Sequence, residues 1–252
     1  MTPKTILRLP GVAFFYALFG IGCILIPLLI YPFLCAFIWQ RSLRARYLRR
    51  VVSFVFSVYV WLLNVLGFVS CEVKNEVGER IKGPCIVVSN HPSLIDVVFL
   101  IASLKGLNCI VKGALFKNPF TMISISGAGY VNNDSQDLVS TAIEALSMND
   151  PLLIFPEGTR SVPGGEIEFS RGAAHIALKA RANIYPVSIK VSPPTLFKGH
   201  KIWQITDQKI QVQIKFQKVV RIADYLTNKS QILEARRLTR DLEQLCGELQ
   251  IT

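Results

Sequence analysis

Two long uncharged apolar stretches open the chain, over residues 11–38 and 51–69. About 20 apolar residues are enough for a helix to cross the hydrocarbon core of a bilayer. Pro27 and Pro32 are expected to kink or break the first helix in its second half. The interval 39–50 carries five arginines and is expected to connect the two helices. The pattern predicts a two-helix membrane module over residues 1–70.

Short apolar runs alternate with amphipathic segments further along the chain. The runs that predict strands are 84–89, 107–111, 129–132, 152–155 and 184–191. The segments that predict helices are 92–104, 135–148, with Ser135 as its N-cap, and 170–182. Such alternation is typical of an α/β fold, here a mostly parallel sheet flanked by helices.

The last part of the chain adds one strand and one helix to this domain. Residues 209–216 alternate polar and apolar positions, which predicts a half-buried strand near an edge of the sheet. Apolar residues from Ile232 to Leu249 recur at steps of three and four, which predicts an amphipathic C-terminal helix. We expect the α/β domain to extend over residues 71–252.

Composition and charge favour a membrane surface as a partner. Hydrophobic residues make up 51% and charged residues 18% of the chain, whereas soluble domains carry about 25% charge. The formal net charge is +11, and residues 1–70 hold seven basic and no acidic residues. Because these cations flank apolar stretches, anionic lipid is the expected partner and nucleic acid is not. Six cysteines without a C-x-x-C pair and three scattered histidines predict free thiols and no metal site.

The arrangement of the two helices in the membrane has two interpretations. Two full spans would place the arginine-rich interval on the side opposite the α/β domain. A hairpin embedded in one leaflet would keep all the basic groups on one surface. We favour the hairpin, at the inner membrane with the domain facing the cytoplasm.

The segment Ser89 to Asp96 reads S-N-H-P-S-L-I-D and follows a predicted strand. Pro92 is expected at the first helical position, with Asn90 or His91 as the cap. On one regular helix, side chains five residues apart diverge by about 140°. His91 and Asp96 can therefore meet only if His91 lies outside the helix, and they would then form a His–carboxylate general base. The alternative is a plain polar helix cap.

A second polar motif, F-P-E-G-T-R-S, occupies residues 155–161 directly after a predicted strand. Ligand sites of parallel sheets lie at such strand ends. Arg160 can hold a phosphate, Gly158 permits close backbone approach, and Glu157 can orient Arg160 or bind a hydroxyl. The alternative is an ordinary charged turn with an ion pair.

Together these motifs resemble the glycerolipid (1-acyl-sn-glycerol-3-phosphate) acyltransferase family. Its H-x-x-x-x-D signature is present at 91–96 and its F-P-E-G-T-R-S signature at 155–161. Residues 112–120 look like the family's K-x-E-L-F-x-x-P-x segment, and 184–187 look like its short proline motif. The similarity covers roughly residues 72–220.

The resemblance implies a membrane-bound O-acyltransferase that uses no cofactor. It would move an acyl group from acyl-CoA or acyl carrier protein to the hydroxyl of a lysophospholipid, foremost 1-acylglycerol-3-phosphate, giving phosphatidic acid. His91 and Asp96 would be catalytic. The substrate-binding residues would be Glu157, Gly158, Thr159, Arg160, Lys112 and Asn133. A backbone N–H near Lys112–Gly113 is the expected donor to the oxyanion.

Three positions depart from the family pattern. Asn133 stands where an arginine associated with the acceptor phosphate is usual, Ala114 where a glutamate is common, and Ser170 where a lysine often occurs. Acylation of another acceptor, such as lyso-ornithine lipid or a hydroxyl of a dedicated lipid or polyene pathway, therefore stays open. A non-catalytic lipid-binding protein is the alternative from a different functional class.

Overall fold

The computed structural model describes residues 3–77, 81, 83–201, 203–227 and 230–251. These residues form one seven-stranded sheet in the order β1-β7-β6-β2-β5-β3-β4. The strands are β1 Val69–Asn75, β2 Ile86–Ser89, β3 Asn108–Val111, β4 Val131–Asn132, β5 Leu152–Ile154, β6 Ile184–Ser192 and β7 Ile210–Phe216. All neighbouring strands run parallel except β6 and β7. The predicted α/β fold with a mostly parallel sheet is confirmed.

The helices that follow the N-terminal segment flank this sheet. They are α4 Asp96–Ser103, α5 Gly113–Lys117, α6 Met122–Gly127, α7 Leu138–Ser147, α8 Gly172–Ala180 and α9 Gln231–Ile251, with a 3₁₀ turn at Ile222–Tyr225. They are preceded by α1 Pro3–Leu25, a π-helical turn Ile26–Ile30, α2 Tyr31–Phe37 and α3 Arg41–Val65.

Two separate apolar layers cover the two faces of the sheet. Side chains alternate along each strand, so Val87 of β2 points to one face while Ile86 and Val88 point to the other. Val87 packs with Phe99 of α4 and with residues of α1 and α3, and we call this the α4 face. Ile86 and Val88 pack with α7, α8 and α9, and we call this the α9 face.

The N-terminal helices are long, apolar and largely uncovered by protein. The helical segments Thr5–Phe37 and Arg41–Val65 are long and apolar enough to cross a membrane, and only 17% and 28% of their most apolar windows are buried. A π-helical turn, Ile26–Ile30, replaces the α-helical pattern around Pro27, in the half of the helix where a kink or break was expected. The arginine-rich interval 39–50 is not a connector, because α3 begins at Arg41 and only residues 38–40 join the helices. Apolar helices with so little protein cover indicate membrane association.

A buried ion pair docks the start of α3 on the edge of the sheet where the parallel strands begin. Arg49 is 3% exposed and pairs with Asp150, just before β5. It also donates to the carbonyls of Ala128 (2.6 Å) and Gly106 (3.1 Å). Arg46 reaches the same carboxylate, with 3.2 Å between Nε and Oδ1. Two of the arginines expected at lipid headgroups therefore hold α3 against the sheet.

The sequence patterns missed three elements around the sheet. β1 pairs in parallel with β7 along its whole length, so β1 forms the edge and β7, expected near an edge, lies second from it. The predicted boundary between residues 70 and 71 falls within β1. The strand was missed because its first residues continue the apolar run of α3. The short helices α5 and α6 were also missed, since neither is long enough to show a helical period.

Two predicted helix starts were wrong. The helix expected from Pro92 begins at Asp96, and the one expected after Ser135 begins at Leu138. Asp137 precedes α7, and its side chain forms no capping hydrogen bond. In both cases a turn lies between the expected N-cap and the helix.

Candidate active site

The loop that leaves β2 is fixed to β6 by one buried amide. Asn90 is fully buried, and its side chain donates to the carbonyl of Ile189 (2.8 Å) and accepts from the Ile189 N–H (2.7 Å). Both hydrogen-bonding groups of the side chain are thus satisfied by the backbone of β6. Asn90 is a positioning residue rather than a helix cap. Only its burial and partners reveal this role, which the sequence did not indicate.

A turn over Ser93–Ile95 separates His91 from the helix that carries Asp96. The Ser93 hydroxyl donates to the carbonyl of Thr195 (2.7 Å), and the Leu94 N–H donates to that of Leu196 (3.1 Å). These bonds hold the turn against the chain after β6, so Pro92 precedes the turn and is not the first helical residue. His91 therefore lies outside the helix, as its meeting with Asp96 requires.

His91 and Asp96 form a direct side-chain pair. The distance between His91 Nδ1 and Asp96 Oδ2 is 3.2 Å, and the Ser93 N–H donates to the same oxygen at 2.6 Å. The imidazole lies on the ring of Phe155, with 4.3 Å between centroids. No residue that the structure describes bonds to Nε2, and 17% of the His91 side chain is exposed. One ring nitrogen is thus oriented by a carboxylate while the other can meet a substrate.

The Asp96 carboxyl is fully buried, which makes its negative charge unfavourable. Burial raises the pKa of Asp96, and the hydrogen bond from His91 offsets part of that rise. Within the described part of the chain Oδ1 has no hydrogen-bond partner. A buried carboxylate with one unpaired oxygen is costly for folding. It gains its most favourable partner when the adjacent imidazole becomes positive.

Glu157 supports the His91 backbone. Its Oε1 accepts from the His91 N–H (2.8 Å) and from the Ser161 hydroxyl (2.9 Å). The Ser161 N–H in turn donates to the His91 carbonyl at 2.8 Å. The turn after β5 is therefore tied to both backbone groups of His91. The expected contact between Glu157 and Arg160 is not among its interactions.

Arg160 points to the same chain segment that anchors the 93–95 turn. Its Nη1 donates to the carbonyl of Leu196 at 2.7 Å. The remaining guanidinium N–H groups have no partner among the described residues, so they are available to an anion. Thr159 is half-buried, and Gly158 is exposed with φ +65°, which favours glycine. The structure brings His91, Glu157 and Arg160 to one edge of the sheet.

Lys112 and Asn133 lie at the same edge but further along it. They follow β3 and β4, and β5 separates β3 from β2. Lys112 is exposed and precedes α5, while Asn133 Oδ1 accepts the Gly113 N–H at 2.9 Å. Of the backbone N–H groups near Lys112–Gly113 that were expected to serve an oxyanion, the one of Gly113 is therefore already occupied by Asn133. No hydrogen bond within the described ranges joins Lys112 or Asn133 to His91, Asp96 or residues 155–161.

Comparison with known proteins agrees with this geometry. Residues 69–190, which include both motifs, match the family model described as Acyltransferase. This segment of the chain is therefore similar to the acyltransferase family. The matched segment runs from β1 through most of β6, so it contains His91, Asp96 and the 155–161 turn.

Several curated relatives that this chain matches carry one name, 1-acyl-sn-glycerol-3-phosphate acyltransferase. The Helicobacter pylori protein is 36% identical over 129 residues, covering 46% of this chain and 54% of the relative. The Pseudomonas aeruginosa protein is 30% identical over 155 residues, covering 58% of each. The human beta form is 30% identical over 112 residues, covering 41% of this chain and 40% of the relative. The chain thus spans about half the length of the curated relatives it matches.

One solved structure shares the whole fold. It is the crystal structure of the 1-acyl-sn-glycerophosphate (LPA) acyltransferase PlsC from Thermotoga maritima. The TM-score is 0.66 and the sequence identity 23%, and the match covers 96% of this chain and 97% of that one. The N-terminal helices and the α/β domain therefore occur together in a known fold.

Proposed function

We propose that this protein is a membrane-bound O-acyltransferase that acylates the free hydroxyl of a lysophospholipid, foremost 1-acylglycerol-3-phosphate. The observation that carries the proposal is the His91–Asp96 pair at the edge of the sheet beside Arg160. The match of residues 69–190 to the acyltransferase family model and the shared name of the relatives support the same activity. The acyl donor is a thioester of coenzyme A or of acyl carrier protein.

The reaction is a direct transfer with His91 as the general base. Nε2 removes the proton of the acceptor hydroxyl while its oxygen attacks the carbonyl carbon of the thioester. The carbon–sulfur bond then breaks, and the leaving thiolate takes the proton back from the imidazolium. The products are an ester and a free thiol. Asp96 fixes the tautomer through Nδ1 and stabilises the transient imidazolium.

The acceptor headgroup is bound by residues 157–160, with Arg160 as the phosphate ligand. Its free N–H groups suit a phosphate oxygen, and Gly158 leaves room for backbone approach. Lys112 and Asn133 extend the polar surface along the edge beyond β5. Asn133 contributes no charge there, so recognition of the phosphate depends mainly on Arg160.

A hairpin inserted into one leaflet fits the packing of α3 better than two full spans do. Arg49 docks the start of α3 on the sheet, and Ser57 further along donates to the carbonyl of Ala102 in α4 at 3.1 Å. A helix that contacts the α/β domain at successive turns stays beside that domain. The connector 38–40 and the catalytic domain then share one side of the membrane, which we take to be the cytoplasmic side of the inner membrane.

The test is acyl transfer from a labelled thioester to a panel of lysolipids. The purified protein in mixed micelles receives acyl-CoA or acyl carrier protein with either 1-acylglycerol-3-phosphate or lyso-ornithine lipid, and the products are identified by mass. We expect phosphatidic acid, and a rate about 10²- to 10⁴-fold lower for His91→Ala. Transfer to lyso-ornithine lipid alone would show that the proposed acceptor is wrong and that the proposed acyl-transfer reaction is correct. No product from any pair would favour a non-catalytic lipid-binding protein.

A further inference from the structure

A large open cavity adjoins the catalytic loop on the α9 face. Its volume is about 780 Å³, and it lies between α9 and the loop 161–167. Ligand cavities in proteins commonly measure about 300–1,000 Å³. We infer that this cavity holds the phosphopantetheine arm of the acyl donor, the part that coenzyme A and acyl carrier protein share. The inference rests on the acyl transfer proposed above.

One end of the cavity lies beside the loop that carries the general base. Pro92, which directly follows His91, forms part of its wall, and so does Ser161. The Ser161 N–H is bonded to the His91 carbonyl at 2.8 Å. A chain lying in the cavity therefore has one end at the backbone of the catalytic histidine. His91 precedes the wall residue Pro92, so a thioester at that end is one residue along the chain from the histidine whose imidazole it must reach for transfer.

The lining suits a slender arm that is uncharged along its length, with alkyl segments between two amides, and anionic at one end. The apolar part of the lining comprises Val162, Pro163, Ile167, Val191 and Pro194. Two cations, Lys190 and Arg240, also line the cavity. Of the carboxylates, Glu243 accepts the Phe169 N–H at 2.7 Å and Glu166 is exposed in the loop. The cations form no ion pair with any residue that the structure describes.

Lys190 is the cation most suited to bind the phosphate of the arm. Ser188, two residues earlier in β6, accepts the N–H of Leu249 in α9 at 3.1 Å. Residues i and i+2 of a strand share a face, so Lys190 also points toward α9 and the cavity. It is half-buried, and a half-buried ammonium without a carboxylate partner favours a bound anion.

The two faces of the sheet give the two substrates separate routes to His91. The apolar helices α1 and α3 pack on the α4 face, which brings a lipid acceptor from the membrane side. The cavity lies under α9 on the opposite face, which water-soluble donors reach. The imidazole lies between the routes, so neither substrate has to pass the other.

A size series at Gly247 tests the cavity. Gly247 lines it within α9, and a Cβ added there lies 3.6 Å from Ile167 Cδ1, an ordinary contact. Gly247→Ala, Gly247→Leu and Gly247→Phe therefore fill the cavity stepwise, while each removes a helix-destabilising glycine. We expect KM for the acyl thioester to rise with side-chain size, about 10-fold or more for Phe. KM for the lysolipid should stay within twofold. An equal KM for the thioester across the series would overturn the inference.

A charge test separates the phosphate from the rest of the arm. Lys190→Gln should raise KM for an S-acyl phosphopantetheine about 5- to 10-fold and leave KM for the S-acyl pantetheine without phosphate unchanged. Lys179→Gln, an exposed lysine at the end of α8, removes the same charge elsewhere and is the control. Equal effects on both thioesters would contradict a phosphate contact.

Direct binding distinguishes failure of the cavity from failure of the proposed reaction. Coenzyme A, or carrier protein with and without its prosthetic arm, is titrated into the wild type and Gly247→Phe in micelles. Binding that Gly247→Phe abolishes supports the cavity even if no transfer occurs. Active transfer with equal donor binding by both proteins would reject the cavity and leave the acyltransferase intact. Comparison of coenzyme A with the two carrier-protein forms identifies the source of the arm.

Discussion

A buried charged side chain lies at each end of the parallel strands, but the two charges differ in how fully they are paired. At the edge where the parallel strands begin, Arg49 is surrounded by partners, with Asp150 and two backbone carbonyls on its guanidinium. At the opposite edge, Asp96 is buried with one oxygen shared by His91 and Ser93 and the other unpaired. The first charge is satisfied and the second is not.

The two buried charges therefore have different roles: one holds the fold together and the other takes part in catalysis. A fully paired buried charge keeps two elements together, because removing one partner leaves the other unpaired. A carboxylate that burial destabilises has free energy to gain when a positive charge appears beside it. Arg49 thus attaches α3 to the sheet, whereas Asp96 stabilises the imidazolium that forms during proton transfer. Substitutions at the two edges should therefore move different observables.

The largest effect on activity within this comparison is expected for Asp96→Asn. The amide cannot stabilise the imidazolium, so kcat should fall about 10²- to 10⁴-fold. The free energy of unfolding of this variant should not fall together with its kcat. Because the folded-state pKa of Asp96 is raised, the folded protein binds its proton more tightly than the unfolded chain does. The wild type then loses stability relative to the variant as pH rises from 3.8, the ordinary value, through the raised folded-state pKa.

Urea unfolding in micelles at a series of pH values, beside initial rates, checks both parts of the Asp96 prediction. The exposed Asp137→Asn is the matched control for activity. A variant that lost stability at every pH, with the difference independent of pH, would show that the buried charge is structural.

Arg49→Ala should show the opposite profile. It leaves Asp150 without its closest partner, and such breaks cost about 3–5 kcal/mol of unfolding free energy. The transfer rate of the remaining folded protein should stay within about threefold of wild type. Unfolding midpoints and rates normalised to the folded fraction provide the measurement. Arg50→Ala, next in sequence but exposed, should change stability by no more than about 0.5 kcal/mol. Equal losses in the two variants would remove the role assigned to Arg49.

Glu157→Ala tests whether the second motif positions the base. It removes two hydrogen bonds, to the His91 N–H and the Ser161 hydroxyl, so kcat should fall about 10- to 100-fold. Glu157→Gln keeps an oxygen acceptor and should restore most of the rate. If Glu157→Gln were as impaired as Glu157→Ala, catalysis would depend on the negative charge of Glu157 rather than on its hydrogen bonds.

The smallest effect is expected at Arg160. Arg160→Gln removes a charge-assisted contact to the acceptor headgroup, which should raise KM for the lysolipid about 10-fold, equivalent to about 1.4 kcal/mol. Arg221→Gln, an exposed arginine before the 3₁₀ turn, is the control. An unchanged KM for a phosphate-bearing acceptor would show that Arg160 serves only its bond to Leu196.

Local sequence signals predicted the elements that show a clear hydrophobic pattern or clear turn residues at their ends. The apolar runs gave β2, β3, β5 and β6 because buried parallel strands read as continuous apolar stretches. They missed β1, since a strand that continues from a helix has no turn signal before it. They also misassigned the arginine-rich start of α3, because a partner distant in sequence, Asp150, decides whether Arg49 meets protein or lipid.

The candidate site was predictable as a set of residues but not as a set of contacts. Spacing alone required His91 to lie outside the helix of Asp96. The partners of Glu157, Asn90 and Asn133 depend on which strands become neighbours, and one chain segment does not encode that order. The bond between the Gly113 N–H and Asn133, which follows β4, could not be predicted for this reason.

The most direct test of the central claim, that His91 and Asp96 act as one base, is a double-mutant cycle on kcat/KM for acyl transfer. Residues that act as a unit show strongly non-additive losses. We predict that the double variant His91→Ala/Asp96→Asn has the same kcat/KM as His91→Ala alone, within about threefold. Losses that multiply would mean that the two side chains contribute independently, which would contradict the account.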